Sequence, residues 1–333
     1  MTAISVIIPV YREDPSRLAA VLDALLAVPL GNYELNEVLI VDDGSQPPLP
    51  QSLAQAPVRL LRHPRNLGNG AAIKTGVRAA RSEILVFMDG DGQHDPAELP
   101  RILARFSEGY DMVVGARNPG AHASLGRRVA NSFYNRLASG MTGYRIDDLT
   151  SGFRAARARR FRQFLYLLPN GFSYPTTSTM AFFRSAYSVA YVPIAVRQRH
   201  GSSKIKLLKD GMRFFIIIIK VGALFSPMRL FLPVSLTFFV AGLVRYAYTF
   251  MTQHRFTNMS AVLFVAAMFT LLIGLVSEQV SALHYKDAER DHESFPEGAP
   301  QAALSSEPNT SQEWPSAKAR QVPGVTPDDA PPR

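Results

Sequence analysis

Two carboxylates one residue apart, Asp89 and Asp91, close a short apolar run: residues 84–95 read Ile-Leu-Val-Phe-Met-Asp-Gly-Asp-Gly-Gln-His-Asp. A run of that length, bounded by glycine and acid, predicts a buried parallel strand rather than a helix. The acids then stand just beyond the strand's C-terminal end, where an open α/β sheet places its ligands. Because strand side chains alternate with period two, both carboxylates point the same way. Such a pair suits a hard divalent cation, Mg2+ or Mn2+, that also holds a diphosphate. By itself Asp-Gly-Asp makes an ordinary turn, so the reading depends on what accompanies it.

Two further strands end in similar chemistry. Residues 4–10 (Ile-Ser-Val-Ile-Ile-Pro-Val) run into Tyr11, Arg12 and Glu13, and residues 37–41 (Glu-Val-Leu-Ile-Val) run into Asp42, Asp43, Gly44 and Ser45. Helical patterns cover 16–26 and 69–80, and a short strand covers 58–61. That alternation predicts a mostly parallel, helix-covered sheet with polar groups along one edge. Gly68-Asn-Gly-Ala-Ala-Ile73 starts like a dinucleotide fingerprint, but Ile73 replaces its third glycine and the segment does not follow the first strand of a βαβ unit. Its glycines are read instead as a tight turn into the next helix.

Val6–Glu13, the Val-Asp-Asp-Gly-Ser segment at 41–45, Asn66-Leu-Gly68 and the Met-Asp-Gly-Asp-Gly-Gln-His segment at 88–94 together resemble family 2 glycosyltransferases of GT-A fold. The closer resemblance is to dolichyl- and undecaprenyl-phosphate sugar transferases, and it covers roughly residues 4–210. It implies that Pro9, Tyr11, Glu13, Asp42, Asp43 and Asp89 line the nucleotide site and that Asp89, Asp91 and Gln93 hold the metal. Asp91 and Asp148 are the implied catalytic acids, Asp148 lying in Asp-Leu-Thr-Ser-Gly-Phe-Arg (148–154) as the group that orients or deprotonates the acceptor. Arg117, Arg128, Ser132 and Arg199 match positions that grip an acceptor phosphate, for which guanidinium forks are well suited. Arg12 departs from the pattern, which often has Asn there, and so does Asn69, where a basic residue is common.

The 333 residues carry 36 Lys+Arg against 27 Asp+Glu, a formal net charge of +9. No basic stretch with interleaved aromatics tracks a nucleic acid, and the cations gather before apolar segments, so the expected partner surface is an anionic bilayer. The absence of cysteine excludes disulfides, thiolate catalysis and Cys-ligated metals. The seven histidines show no zinc spacing, leaving His94 beside the carboxylates as the one of interest. Residues 4–10 are strand-like and too short for a leader, so no cleaved signal peptide is expected.

The expected organisation is a GT-A catalytic domain over 1–203, a basic amphipathic juxtamembrane helix over 204–228, two transmembrane helices (about 230–251 and 261–280) within 229–283, and a disordered tail over 287–333. Arg245 snorkels near the far end of the first span. Glu278 sits at the opposite depth, so the two should not pair. The cations before Leu230 outnumber Arg255 in the loop, which predicts a cytoplasmic catalytic domain and C-terminus in the inner membrane.

The resemblance thus implies a metal-dependent, inverting hexosyl transfer from a nucleotide-diphospho-sugar donor to a polyprenyl phosphate, with homo-oligomerisation left open. Three rivals stand beside it. A processive synthase is disfavoured because Trp314 in the tail is the only tryptophan available for an acceptor motif. Transfer to a lipid-linked oligosaccharide and a non-catalytic membrane partner are the others.

Overall fold

A computed structural model describes residues 1–117, 125–171, 173–195, 216, 219–220, 222–223 and 226–293, with side chains of 125–131 and 284–293 excepted. Arg199 and most of the expected juxtamembrane helix therefore lie outside the described residues, as does the tail beyond 293.

The core is a seven-stranded sheet, with β1 (Thr2–Val10), β2 (Tyr33–Asp42), β3 (Val58–Arg62), β4 (Ile84–Phe87), β5 (Met112–Arg117), β6 (Arg154–Arg157) and β7 (Val189–Ile194) in the spatial order β3-β2-β1-β4-β6-β5-β7. All neighbours are parallel except β6, which runs antiparallel to both β4 and β5. β6 is the strand the sequence does not announce: Arg-Ala-Ala-Arg has neither an apolar run nor β-branched residues, and only its two flanking partners make it a strand.

Alternation along the strands sorts side chains onto two faces. Ile4, Val6 and Ile8 of β1 and Val38 and Ile40 of β2 face one core, which is closed by Leu18, Leu22 and Leu25 of α1 (Pro15–Leu26) and by α3 (Leu99–Ala104). Ile7, Leu39, Leu85 and Phe87 face the other, closed by α2 (Asn69–Ala79), α4 (Leu125–Thr142), α5 (Ala158–Arg162) and α6 (Tyr174–Arg184). The order in which strands are added switches sides at β1, with β2 on one side and β4 on the other, all three parallel. That switch point opens a crevice at the strand C-termini.

α7 (Pro227–Gln253) and α8 (Asn258–Glu293) form an antiparallel pair, each long and apolar enough to cross a membrane. Close approach is set by small residues: a Cβ on Gly242 would meet Leu263 and Phe264 at 3.1–3.2 Å, and one on Gly274 would meet Phe231 at 2.8 Å. α8 runs past the expected end at 280, through a stretch expected to be disordered from 287, as far as Glu293. A helix need not stop where its apolar segment does, and Lys-Asp-Ala-Glu-Arg propagates one well.

The helix pair is tied to the α/β core at its first turn. Arg229 donates through Nη1 to the carbonyls of Met141 (3.1 Å) and Gly140 (3.4 Å) at the C-terminal end of α4, where a cation is favoured. Glu278 accepts from the Met228 N–H at 3.2 Å, which places a carboxylate on the N-terminus of α7. As expected, it lies far from Arg245. Arg229→Ala should lower the thermal midpoint in detergent by a few degrees, about 1 kcal/mol for an exposed charged contact, and expose the segment before α7 to protease. An unchanged midpoint and cleavage pattern would show that this joint carries no stability.

Candidate active site

β4 delivers Asp89 to the crevice, two residues beyond its last ladder residue. Gly90 is forced by proximity, since a Cβ there would meet the side chains of Val10 and Ile8 at 3.1 and 3.2 Å. Asp91 then closes a turn through Gly92 (φ 74°), its Oδ1 accepting from the Gln93 N–H at 3.1 Å and its Oδ2 from the Gln93 amide. The Asp89 carboxylate faces the crevice with 40% of its side chain accessible, yet protein surrounds its other sides. That desolvation raises its pKa; His94 opposes the rise and Asp91 adds to it. His94 is buried, stacks on Phe153 (5.2 Å, 18°), and holds Nδ1 4.0 Å from Asp89 Oδ2 with no hydrogen-bond partner.

A second loop, 148–153, closes against this pair. Asp148 is buried and takes the Arg117 guanidinium in a fork, Nε to Oδ2 at 2.8 Å and Nη2 to Oδ1 at 2.9 Å. Its Oδ1 also accepts the N–H groups of Thr150 (3.0 Å) and Ser151 (3.1 Å). Burial alone would lift the Asp148 carboxyl, but Arg117 and these N–H groups outweigh it, leaving the pKa below the usual carboxylate range. The loop so held presses Gly152 onto Asp89: a Cβ on Gly152 would lie 2.7 Å from Asp89 Oδ2. Gly152→Ala should therefore push the Asp89 carboxylate out of place and cut turnover more than tenfold, with little loss of thermal stability because the clash falls on a crevice side chain. A fully active alanine variant would refute this packing.

Behind the loop, Arg154 is fully buried with no carboxylate partner among the described residues. It donates to the carbonyls of Ser151 and Pro175 and to the hydroxyls of Ser178 (3.0 Å) and Thr179 (2.9 Å). Burial depresses its pKa. In the sequence Gly152 and Arg154 are members of the 148–154 motif and nothing local gives them a role. Nothing short of the fold places them behind Asp89 and Asp148.

The residues expected at the nucleotide divide in two. Pro9 and Glu13 are half-buried and Tyr11 is exposed at the end of β1, with the Arg12 guanidinium 5.1 Å from the Tyr11 ring centre. Arg12 holds φ at 55°, a conformation in which Asn is favoured over Arg, which gives that departure from the pattern a backbone cost. Asp42 and Asp43 are instead turned into the protein. Asp42 accepts from the N–H groups of Ser45 (2.9 Å) and Leu49 (3.3 Å) and from Arg62; Asp43 pairs with His63 at 2.8 Å and accepts from the N–H groups of Leu67 (2.9 Å) and Gly68 (2.8 Å). Both are buried and hold the loops between residues 43 and 68 in place.

Of the expected acceptor set, Arg117 reaches the site and Ser132 is exposed on α4. The Arg128 side chain, on the same helix, and Arg199 lie outside the described residues. Among the described residues no group of three or more His, Cys, Asp or Glu forms a complete cage for a metal. Two oxygen ligands facing a crevice, one with its pKa raised, fit a divalent cation that completes its shell from a bound diphosphate.

Residues 5–167 match the model of glycosyl transferase family 2, and residues 226–283 match the GtrB C-terminal hairpin. Similar proteins include the undecaprenyl-phosphate 4-deoxy-4-formamido-L-arabinose transferases of Klebsiella pneumoniae (34% identical, covering 46% of this chain and 48% of that protein) and Proteus mirabilis (27% identical, 84% and 86%). This chain spans about half the length of the relatives it matches at 32–34% identity. The fold is similar to that of the Mycobacterium tuberculosis glucosyl-3-phosphoglycerate synthase solved with Mn2+ and UDP-glucose (TM-score 0.52, 20% identical, 66% of this chain and 79% of that one). The parallel switch-point sheet, the paired carboxylates beyond β4 and the two matched segments lead to one assignment: residues 5–167 form a glycosyl transferase family 2 domain of GT-A-like fold, followed over 226–283 by a GtrB-type hairpin.

Proposed function

We propose that this protein moves a sugar from a nucleotide-diphospho-sugar onto a polyprenyl phosphate, with the catalytic domain at the cytoplasmic face of the inner membrane. The observation that carries the reading is the packing of the 148–153 loop, with its bound Arg117, directly onto Asp89 at the switch point. That packing supports a transfer site whose donor and acceptor ends are adjacent. The names of the similar transferases support the undecaprenyl phosphate acceptor, and the paired apolar helices support access to a lipid. Those names specify an arabinose derivative, a pentose, where a hexose was expected, so the sugar is proposed no more finely than as a sugar.

Asp89 and Asp91, with Gln93 steering Asp91, are the residues that would hold Mg2+ or Mn2+, which when bound supplies countercharge to the departing diphosphate. Pro9, Tyr11 and Glu13 line the nucleotide side of the crevice. Asp148 orients rather than deprotonates: its carboxylate is committed to Arg117 and two N–H groups, and its lowered pKa makes it a weak base. No base is required, because a phosphate monoester is already ionised near neutral pH. Arg117 keeps Nη1 without a protein partner among the described residues, free to meet that phosphate. Arg128, Ser132 and Arg199 are the further proposed contacts. Cations before α7 and the weaker charge of the loop at 254–257 support the orientation.

Membranes carrying the protein, offered radiolabelled nucleotide sugars one at a time with undecaprenyl phosphate, should pass label into a lipid-extractable product with one donor class, and EDTA should stop it. Label reaching no lipid with any donor, or reaching polysaccharide directly, would reject the reading.

A further inference from the structure

Arg245 is a cation inside a membrane-length helix, eight residues or roughly 12 Å before the end of α7. Its guanidinium has no ion-pair or hydrogen-bond partner among the described residues, and neither does the Tyr248 hydroxyl one turn further on. From Pro227 to Ser277 the chain contains no Asp or Glu. The nearest acid in sequence beyond that, Glu278, is engaged at the opposite end of the helix pair. An intramembrane guanidinium is costly and marks a site whose counter-charge has to be identified. Snorkelling brings this guanidinium to the headgroup layer, and the hairpin supplies no carboxylate to meet it there.

A largely apolar groove lies beside Arg245. A groove of about 760 Å3 is lined by Ala241, Val244, Arg245, Tyr248, Met259 and Leu263. A second, of about 440 Å3, shares Ala241 and continues past Val240 and Thr237 toward the middle of the helix. Arg245, Ala241 and Thr237 are spaced four apart and so lie on one helix face, giving a track of roughly 12 Å with a cation at its outer end and apolar walls inward. Tyr246, Phe250 and Phe256 pack together at the same level (5.5–5.8 Å), an aromatic belt of the kind that marks a membrane interface. Depth, charge and groove direction therefore agree: a phosphate at Arg245 and Tyr248 would send its acyl chain along Val244, Ala241 and Thr237 toward the bilayer centre.

We propose that this face of the hairpin is a binding seat for one anionic phospholipid of the leaflet opposite the catalytic domain, its phosphate on Arg245 and Tyr248 and an acyl chain in the groove. The seat rests on the membrane-spanning reading of the hairpin given above. It lies at the other end of the hairpin from Asp89 and takes no part in sugar transfer.

The full-length chain, purified in detergent and stripped of lipid, is titrated with phosphatidylglycerol or phosphatidylcholine and read by native mass spectrometry. One phosphatidylglycerol per chain should be retained in preference to phosphatidylcholine, and Arg245→Gln should weaken that retention about tenfold or more. Ala241→Phe, which fills the groove but keeps the charge, should weaken it as well, while Arg255→Gln in the loop should not. Equal retention by Arg245→Gln and the native chain, or of the two lipids, overturns the seat. So does displacement by inorganic phosphate with Ala241→Phe silent, which would reduce the site to a free-anion contact. A photoreactive residue at position 244 should capture lipid; capture of a second copy or another membrane protein instead assigns the groove to that partner and overturns the proposal. Vesicle flotation separates the two levels. A chain that stays aqueous with vesicles of either lipid refutes membrane insertion itself, whereas one that inserts yet binds both lipids alike refutes only the seat.

Discussion

Asparagine in place of Asp89 or Asp91 is expected to lower turnover on the order of a thousandfold while the protein stays folded. Each exchange removes one anionic ligand of a cation whose charge stabilisation is worth several kcal/mol. At Asp89, stability should move in the opposite direction. Its carboxyl has a raised pKa in the folded state, chiefly from desolvation. A group raised in this way costs stability wherever it is ionised, above its unfolded value of about 3.9, and the cost fades as pH falls through the folded value. Asp89→Asn should therefore melt slightly above the native chain at neutral pH and level with it in acid. Mn2+ alone should raise the melting point of the native chain and of neither variant. Equal Mn2+ stabilisation of Asp89→Asn would sink the metal assignment without any activity measurement, and full turnover in EDTA would sink it independently.

Loss of the Asp148 carboxylate should act on folding and on acceptor use together. Asp148→Asn forfeits the fork with Arg117 and the charged acceptor of two backbone N–H groups, an expected loss of roughly 1.5–3 kcal/mol. The sign with pH is the reverse of that at Asp89. A lowered folded pKa contributes stability that is present above about 3.9 and is lost as pH falls through the folded value. The melting gap between native chain and variant should then be constant near neutrality and close in strong acid. Turnover should fall about ten- to a hundredfold through the acceptor KM, with donor binding little changed, because the fork that presents Arg117 is gone. Adding Arg117→Ala to Asp148→Asn should cost little more than Arg117→Ala alone, the mark of a pair acting as one unit. A general base would behave otherwise: the variant would keep its melting point, lose nearly all kcat, and the native pH–rate profile would carry a limb that the variant lacks.

Local order along the chain was enough to expose the parallel sheet and the acids at its strand ends. Apolar runs that stop at Asp42, Asp43 and Asp89, separated by helical periods, lead to a parallel sheet with chemistry at its strand ends, because burial on both faces writes itself into consecutive residues. The two long helices are legible for the same reason, since a bilayer demands about twenty apolar residues in a row. Side-chain partnership is not local and could not be read in this way. Asp42 and Asp43 stand out in the sequence only as acids after a strand; that they hold their own loops is visible only in the fold. Arg117 and Asp148, 31 residues apart, looked like separate tools and are one ion pair. Gly152 owes its identity to Asp89, 63 positions earlier (152 − 89), and Arg-Ala-Ala-Arg becomes a strand only because β4 and β5 leave a gap between them. Periodicity records which face of an element is buried; which buried group meets which is decided only when the layers close.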